Sequence, residues 1–190
     1  MKIILNLHGL IPSTRVNGPG TRCVVFFQGC TRHCAGCFNT ATHDLSPKLT
    51  MDVDQVLSIV PPGAGGLTVS GGEPFLQPSG LMALLQTARL SKGLSTIVYT
   101  GFTLEEVKAH EERSAVLPHI DVLIAGPYDL LRPEKTALAR GSTNQTFHFL
   151  STRYSIDDFY LPGRLEVSIG VDGSLTGTGF ARLPTPVDNI

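Results

Sequence analysis

The chain has 190 residues, of which 42% are hydrophobic and 16% are charged, and its formal net charge is −1. This balance excludes intrinsic disorder and lacks the basic surplus of proteins that bind nucleic acid directly. No apolar run approaches the ~20 residues of a membrane-spanning helix, and the N-terminus has no signal-peptide pattern. We therefore expect a cytoplasmic protein without a membrane anchor, folded as a single domain over 1–190.

Short apolar runs rich in β-branched residues alternate with helical patterns along the middle of the chain. These runs predict buried strands at 24–27, 67–69, 96–99 and 120–124. An N-terminal run at 3–9 suggests an added edge strand. The alternation predicts an α/β fold with a parallel sheet and right-handed crossovers.

The helical patterns between the strands have recognisable ends. The first predicted helix spans 52–60, with Thr50 available as its cap. The second carries apolar residues at helical spacing over 81–88 and ends at Gly93. The third begins at Thr103, where a glutamate three residues later completes a capping box.

The pattern weakens towards the C-terminus. Residues 128–147 are expected to form a polar loop. The runs 165–169 and 174–176 flank an Asp-Gly pair and predict a β-hairpin that packs on the sheet or extends it.

Three cysteines lie within eight residues, as Cys30-x3-Cys34-x2-Cys37. Three thiolates can hold three irons of a cubane cluster, which leaves the fourth iron open to another ligand. Cys23 lies one strand away, roughly 13 Å at ~3.3 Å per residue, and is a poor fourth ligand. A zinc site completed by His33 or His43 is the alternative, and it would make the protein a non-catalytic binding module.

Glycine turns follow the other predicted strands. Ser70-Gly71-Gly72-Glu73-Pro74 would let the backbone approach a ligand closely, and Glu73 offers a carboxylate to a ligand amine. An ordinary strand-to-helix turn is an equally good interpretation of this run alone. However, parallel strands precede this turn, the turns at Thr100-Gly101 and Gly126, and the cysteine loop. These loops should therefore lie together at the carboxyl edge of the sheet, where α/β folds bind ligands.

Together, the cysteine spacing and the downstream Gly-Gly-Glu-Pro resemble the radical S-adenosylmethionine (SAM) superfamily. Additional runs resemble the activating proteins of anaerobic ribonucleotide reductase over about 16–150, namely 16–23, 29–39, 99–101, 121–124 and 140–145. The resemblance implies a partial (β/α) barrel, here followed by a C-terminal β extension over 151–190. It also implies an oxidoreductase in which one [4Fe-4S] cluster reductively cleaves SAM to methionine and a 5′-deoxyadenosyl radical.

The same resemblance implies roles for individual residues. Cys30, Cys34 and Cys37 would be the cluster ligands. Phe38 and the backbone at Gly36 would lie near the adenine of SAM, and Gly71, Gly72 and Glu73 near its methionine end. The full set of expected cofactor-binding residues is Gly36, Phe38, Asn39, Ser70, Gly71, Gly72, Glu73, Thr100 and Gly126. The run 140–145 has no derived role: a turn is one interpretation, and contact with SAM or a partner is the other.

The implied partners are a glycyl radical enzyme, the large subunit of anaerobic ribonucleotide reductase, and a flavodoxin or ferredoxin-like electron donor. With three cluster cysteines and one spare, the chain has no room for an auxiliary cluster. A single-cluster radical SAM enzyme that modifies another protein, a peptide or a small molecule shares every motif and is the enzymatic alternative.

Overall fold

A computed structural model of the chain describes residues 2–37, 39–181 and 188–189. Its strands, in chain order, are β1 (Ile4–Thr14), β2 (Arg22–Phe27), β3 (Leu49–Asp52), β4 (Gly66–Gly71), β5 (Ser95–Thr100), β6 (Val122–Ala125), β7 (Thr146–Phe149), β8 (Leu165–Ile169), β9 (Leu175–Gly179) and β10 (Asp188–Asn189). Its α-helices are α1 (Val53–Ile59), α2 (Pro78–Lys92), α3 (Leu104–Lys108) and α4 (Glu111–Ser114). No helix in the described part of the chain is long and apolar enough to cross a membrane.

The main sheet has the strand order β3-β1-β2-β4-β5-β6-β7. The pairs β2–β4, β4–β5 and β5–β6 are parallel, and these are the four strands that the sequence predicts. Antiparallel β1, β3 and β7 flank them. The sheet is open, with β3 and β7 at its ends, and the predicted α/β class with a parallel centre is confirmed.

Two sequence predictions fail at the sheet edges. The N-terminal run forms β1, but β1 lies inside the sheet, because β3 pairs with it from Leu49↔Leu7 to Asp52↔Ile4. The predicted loop over 128–147 ends early, because β7 begins at Thr146 and pairs with β6. Both missed strands have four residues and exposed positions, so neither carries the apolar signature of a buried strand.

Side chains of the parallel strands alternate between two cores. In β5, Val98 faces the core that contains the helices, whereas Ile97 and Tyr99 face the core on the opposite side of the sheet. Helix α2 buries its predicted apolar face in the first core and ends at Gly93, which adopts the left-handed conformation (φ 64°).

Helix α1 begins at a different cap from the one predicted. Thr50 belongs to β3, and Asp52 is the N-cap. The Asp52 carboxylate accepts from Gln55 N at 2.8 Å, and Gln55 Oε1 accepts from Asp52 N at 2.8 Å. Because β3 pairs with β1 through Asp52, the N-cap lies at Asp52, two residues beyond Thr50.

Replacing Asp52 with alanine should lower the free energy of unfolding by about 1 kcal/mol, because the N–H of Gln55 loses its acceptor. Urea denaturation of the apoprotein measures this loss. Asp54→Ala is the matched control: it removes a first-turn carboxylate but leaves the capping box, and it should cost less. Equal losses in the two variants would contradict a capping role.

The predicted C-terminal hairpin is present as β8 and β9, and it forms a separate three-stranded sheet with β10. It packs on the body without extending the main sheet. Its Glu166 carboxylate accepts from Thr14 Oγ1 at 2.7 Å and from Arg15 N at 2.9 Å. Thr178 Oγ1 also donates to Asn17 Oδ1 at 3.0 Å.

Candidate metal and cofactor site

A cleft with an empty volume of about 870 Å³, including its open mouth, lies at the carboxyl ends of the parallel strands. Most of the predicted site residues line it: Cys30, Cys34, Cys37, Asn39, Ser70, Gly71, Gly72, Glu73, Thr100 and Gly126. Gly36 is exposed in the same loop (φ 69°) and does not line the cleft. Phe38 lies outside the described residues.

All three cysteines of the cysteine loop line the cleft. Its turn is closed by Cys37 N, which donates to the carbonyl of Cys34 at 3.1 Å. Backbone N–H groups also donate to sulfur, from Arg32 to Cys30 Sγ and from Asn39 to Cys37 Sγ, both at 3.4 Å. Such bonds to sulfur stabilise thiolates, the form that binds iron.

Cys23 has a different environment from the other three cysteines. It lies in β2, is 0% exposed and packs in the core that contains the helices. Burial raises the pKa of its thiol to about 11. It does not line the cleft, so its position matches that of a small apolar core residue.

The Gly-Gly-Glu turn packs backbone to backbone against the start of the cysteine loop. Glu73 N donates to the carbonyl of Gly29 at 2.8 Å. A Cβ on Gly72 would stand 2.2 Å from that same oxygen, and a Cβ on Gly71 would stand 2.5 Å from Phe27 N. Glycine is therefore required at both positions by close approach, and the two loops form one structural unit.

Glu73 is a buried carboxyl group on the cleft wall, only 1% exposed. Its Oε1 accepts from Phe75 N at 3.0 Å and from Thr100 Oγ1 at 2.8 Å, and its Oε2 accepts from Gly101 N at 2.8 Å. Burial raises the pKa of Glu73 to about 7. The hydrogen bonds favour the charged form and oppose this rise, but burial has the larger effect. A ligand cation in the cleft would offset that burial cost.

The raised pKa of Glu73 makes the stability of the apoprotein depend on pH. Between pH 4.5 and about 7 the folded state keeps a proton that the unfolded chain has lost, so the free energy of unfolding falls as pH rises. The fall is roughly 3 kcal/mol for a shift of this size. Urea denaturation of the wild type and of Glu73→Gln at pH 5 and pH 8 measures it.

The Glu73→Gln variant cannot titrate at this position, so it should lose less stability than the wild type between the two pH values. Glu105→Gln, on the exposed face of α3, is the control and should follow the wild type. If the stability of Glu73→Gln and the wild type changes equally with pH, Glu73 does not carry this dependence.

The two histidines of the zinc alternative lie together. The rings of His33 and His43 meet edge to face with centroids 5.2 Å apart, and His43 lines the cleft. Burial lowers the pKa of His43, with the neighbouring His33 adding to the effect. Among the residues that the structure describes, no three His, Cys, Asp or Glu side chains converge on a point fit for a single metal ion.

Several residues of the cleft are not among the site residues predicted from the sequence. Gln145 accepts from Gly141 N at 2.9 Å and donates to the carbonyl of Gly126 at 3.2 Å, so it ties the run 140–145 to the end of β6. Arg140 supports the same run by donating to Glu134 at 2.7 Å. The high density of polar residues in 140–145 was the feature of the sequence that could have indicated a role in the cleft.

The lining of the cleft also includes Asn17, Phe26, Tyr99 and Phe180, a group here called the aromatic wall. The rings of Tyr99 and Phe180 have centroids 5.7 Å apart. Asn17 belongs to the run 16–23 that resembles the family of activating proteins, but nothing in the sequence indicated Phe180, which follows β9.

Comparisons with known proteins decide between iron–sulfur and zinc. A family described as a 4Fe-4S single cluster domain matches residues 16–148. The anaerobic ribonucleoside-triphosphate reductase-activating protein of Vibrio cholerae is 35% identical over 154 residues, which cover 76% of this chain and 97% of that protein. The chain belongs to this family of activating proteins.

Other relatives with the same name include that of Escherichia coli K12, 33% identical over 77% of this chain and 99% of that protein. The relative in bacteriophage T4 is 32% identical over 74% of this chain and 92% of that protein. Family membership confirms the prediction of a radical SAM activase and of its cofactors, a [4Fe-4S] cluster and SAM. The donor set fits this, because the three cysteines that line the cleft offer soft thiolate ligands.

Proposed function

We propose that this activating protein generates a glycyl radical on an anaerobic ribonucleoside-triphosphate reductase. The observation that carries the proposal is the convergence of Cys30, Cys34, Cys37 and Glu73 on one cleft, in a chain whose relatives bear that activating name. When bound, the cofactors supply one electron and a 5′-deoxyadenosyl radical, which takes a Cα hydrogen from a glycine and becomes 5′-deoxyadenosine.

The chain itself supplies ligands, orientation and exclusion of water. The three cysteines would hold the cluster. Glu73, a buried acceptor beside the cysteine loop, would accept from the amino group of SAM. Gly71 and Gly72 line the same cleft, and we place the methionine end of SAM against their backbone. We assign Asn39, Ser70, Thr100 and Gly126 to the same ligand because they line the same cleft.

The adenine contacts at Gly36 and Phe38 remain proposals that rest on the family resemblance. Gly36 lies against Leu130, since a Cβ there would stand 2.7 Å from Leu130 Cδ2. This contact supports a role for Gly36 in holding the cysteine loop against the end of the sheet. We also propose a flavodoxin or ferredoxin-like donor, because each SAM cleavage consumes one electron.

We further infer that 1–190 act as one domain, with the core over 16–150 and the extension over 151–190 functioning together. The contacts that support this inference join the two parts: Thr178 donates to Asn17, and the Tyr154 hydroxyl forms a hydrogen bond with Ser95 Oγ at 2.7 Å. These side chains are half-buried or buried, so separation of the two parts would expose unpaired polar groups.

Anaerobic purification with iron, sulfide and zinc analysis tests the proposed function. We expect about four iron and four sulfide per chain. Dithionite reduction with SAM should then yield 5′-deoxyadenosine, and addition of the reductase should yield a glycyl radical signal in electron paramagnetic resonance. Deoxyadenosine without a radical on the reductase would favour another protein, peptide or small-molecule acceptor. The absence of both deoxyadenosine and the glycyl radical would overturn the proposal.

A further inference from the structure

Phe180 comes from a part of the chain that the family match does not include. The match ends at residue 148, and Phe180 follows strand β9 of the C-terminal hairpin. Gly179 and Phe180 nevertheless line the same cleft as the cluster cysteines. The extension therefore contributes surface to the site, in addition to the residues expected from the family resemblance.

The backbone around Phe180 is held firmly in place. Phe180 N donates to the carbonyl of Arg164 at 2.6 Å, and Arg164 Nη2 donates back to the carbonyl of Phe180 at 2.8 Å. Gly179 has φ 124°, and a Cβ there would stand 2.3 Å from the oxygen of Arg164. This close approach fixes where the Phe180 ring enters the cleft, against Tyr99.

The lining of the cleft combines two kinds of chemistry. Besides the cysteines it includes the charged residues Glu73 and Arg32, and the positive charge of Arg32 acts on the Glu73 carboxyl group. The aromatic wall has no formal charge, and its contacts run between Tyr99 and Phe180 and between Thr178 and Asn17. Charged cofactor groups therefore have ionic partners in Glu73 and Arg32 but none among the four residues of the aromatic wall.

We propose that Phe180, together with Tyr99, determines which hydrogen donor can approach, by forming an uncharged surface for the peptide segment around the target glycine. This inference rests on the proposed function and concerns the same cleft. An uncharged aromatic surface favours a neutral segment with exposed backbone over a charged small molecule. The charge of such a molecule would be buried against this surface without an ionic partner.

The test compares Phe180→Ala with Val171→Ala, a fully exposed residue at the tip of the same hairpin. Purified, cluster-loaded proteins are reduced with SAM and the reductase, and glycyl radical formed per 5′-deoxyadenosine is measured. We expect this ratio to fall at least about tenfold in Phe180→Ala, since one apolar contact is worth roughly 10- to 200-fold in discrimination. Val171→Ala should keep the wild-type ratio.

Affinity for S-adenosylhomocysteine, measured by calorimetry on the same proteins, gives a readout independent of turnover. The loss of affinity should be smaller than the fall in the ratio. An equal loss of affinity would place Phe180 on the cofactor and overturn the inference, as would an unchanged ratio. Should Phe180→Ala fail to fold, Phe180→Trp decides: its larger ring should also lower the ratio, and a wild-type ratio overturns the inference.

Failure of the proposed function produces a different result. If the reductase is not the acceptor, the wild type itself forms deoxyadenosine without a glycyl radical. If the cleft does not bind SAM, the wild type has no affinity for S-adenosylhomocysteine. When the wild type passes both measurements, an unchanged ratio in Phe180→Ala, or an equal loss of its affinity for S-adenosylhomocysteine, contradicts the role of Phe180 alone.

Discussion

Replacing Cys34 with alanine should leave the protein without an intact cluster and without SAM-dependent 5′-deoxyadenosine. The side chain lies half-buried on the cleft wall, while the carbonyl of Cys34 closes the loop by accepting from Cys37 N. Alanine keeps this backbone bond and removes only the thiolate. The remaining two cysteines cannot hold a cubane that already lacks one protein ligand.

Iron and sulfide analysis after anaerobic reconstitution measures the loss, together with deoxyadenosine formed after dithionite reduction. Urea denaturation of the apoprotein should give nearly the same midpoint for Cys34→Ala and the wild type, because the substitution leaves the core unchanged. A Cys34→Ala protein that still cleaves SAM would show that the cluster assignment is wrong.

Cys23→Ala is the matched control, since it removes a thiol from the same chain at a site away from the cleft. Cys23 is fully buried in β2, so the variant should lose some stability from the smaller side chain but keep its iron. Loss of iron in Cys23→Ala would mean that the ligand set chosen here is incorrect.

The parallel centre of the fold and most of the cleft were predictable, because both depend on local patterns. The strands that end at Phe27, Gly71, Thr100 and Ala125 are buried on both faces and read as short apolar runs. Since parallel strands end at one edge of a sheet, the loops that follow them had to meet.

Contacts between distant residues were not predictable. Phe180 reaches Tyr99 from 81 positions away, through a hairpin whose docking depends on Glu166 and Thr178. The start of α1 was also ambiguous, since Thr50 and Asp52 are both good caps. The pairing of β3 with β1 decided between them, and no pattern within 49–52 reveals that pairing.

Replacing Gly72 with alanine should disrupt the cleft almost as severely as removing a cysteine, but by a different route. The added Cβ would stand 2.2 Å from the oxygen of Gly29 and 3.0 Å from that of Thr42. Gly29 precedes the first cluster cysteine and Thr42 follows the last, and Gly29 N donates to Thr42 O at 2.8 Å. One methyl group therefore pushes against both ends of the cysteine loop at the point where they join.

Backbone atoms cannot rotate away as a flexible side chain can, so the loop and the Gly-Gly-Glu turn must separate. We expect Gly72→Ala to lower the free energy of unfolding by about 1–3 kcal/mol, the usual cost of overpacking. Deoxyadenosine formation should fall roughly 100-fold, because a displacement of about 1 Å between reacting groups is enough for such a loss. Urea denaturation and the deoxyadenosine assay measure the two effects.

Gly65→Ala is the matched control, because it adds the same methyl group just before β4. Its Cβ would meet only Thr21 O, at 3.8 Å, which is an ordinary contact, and its φ is not in the left-handed region. This variant should be as stable as the wild type or slightly more so, since alanine reduces the freedom of the unfolded chain. If Gly72→Ala instead retains full iron and wild-type SAM cleavage, then the close packing of the Gly-Gly-Glu turn against the cysteine loop does not position the cofactors.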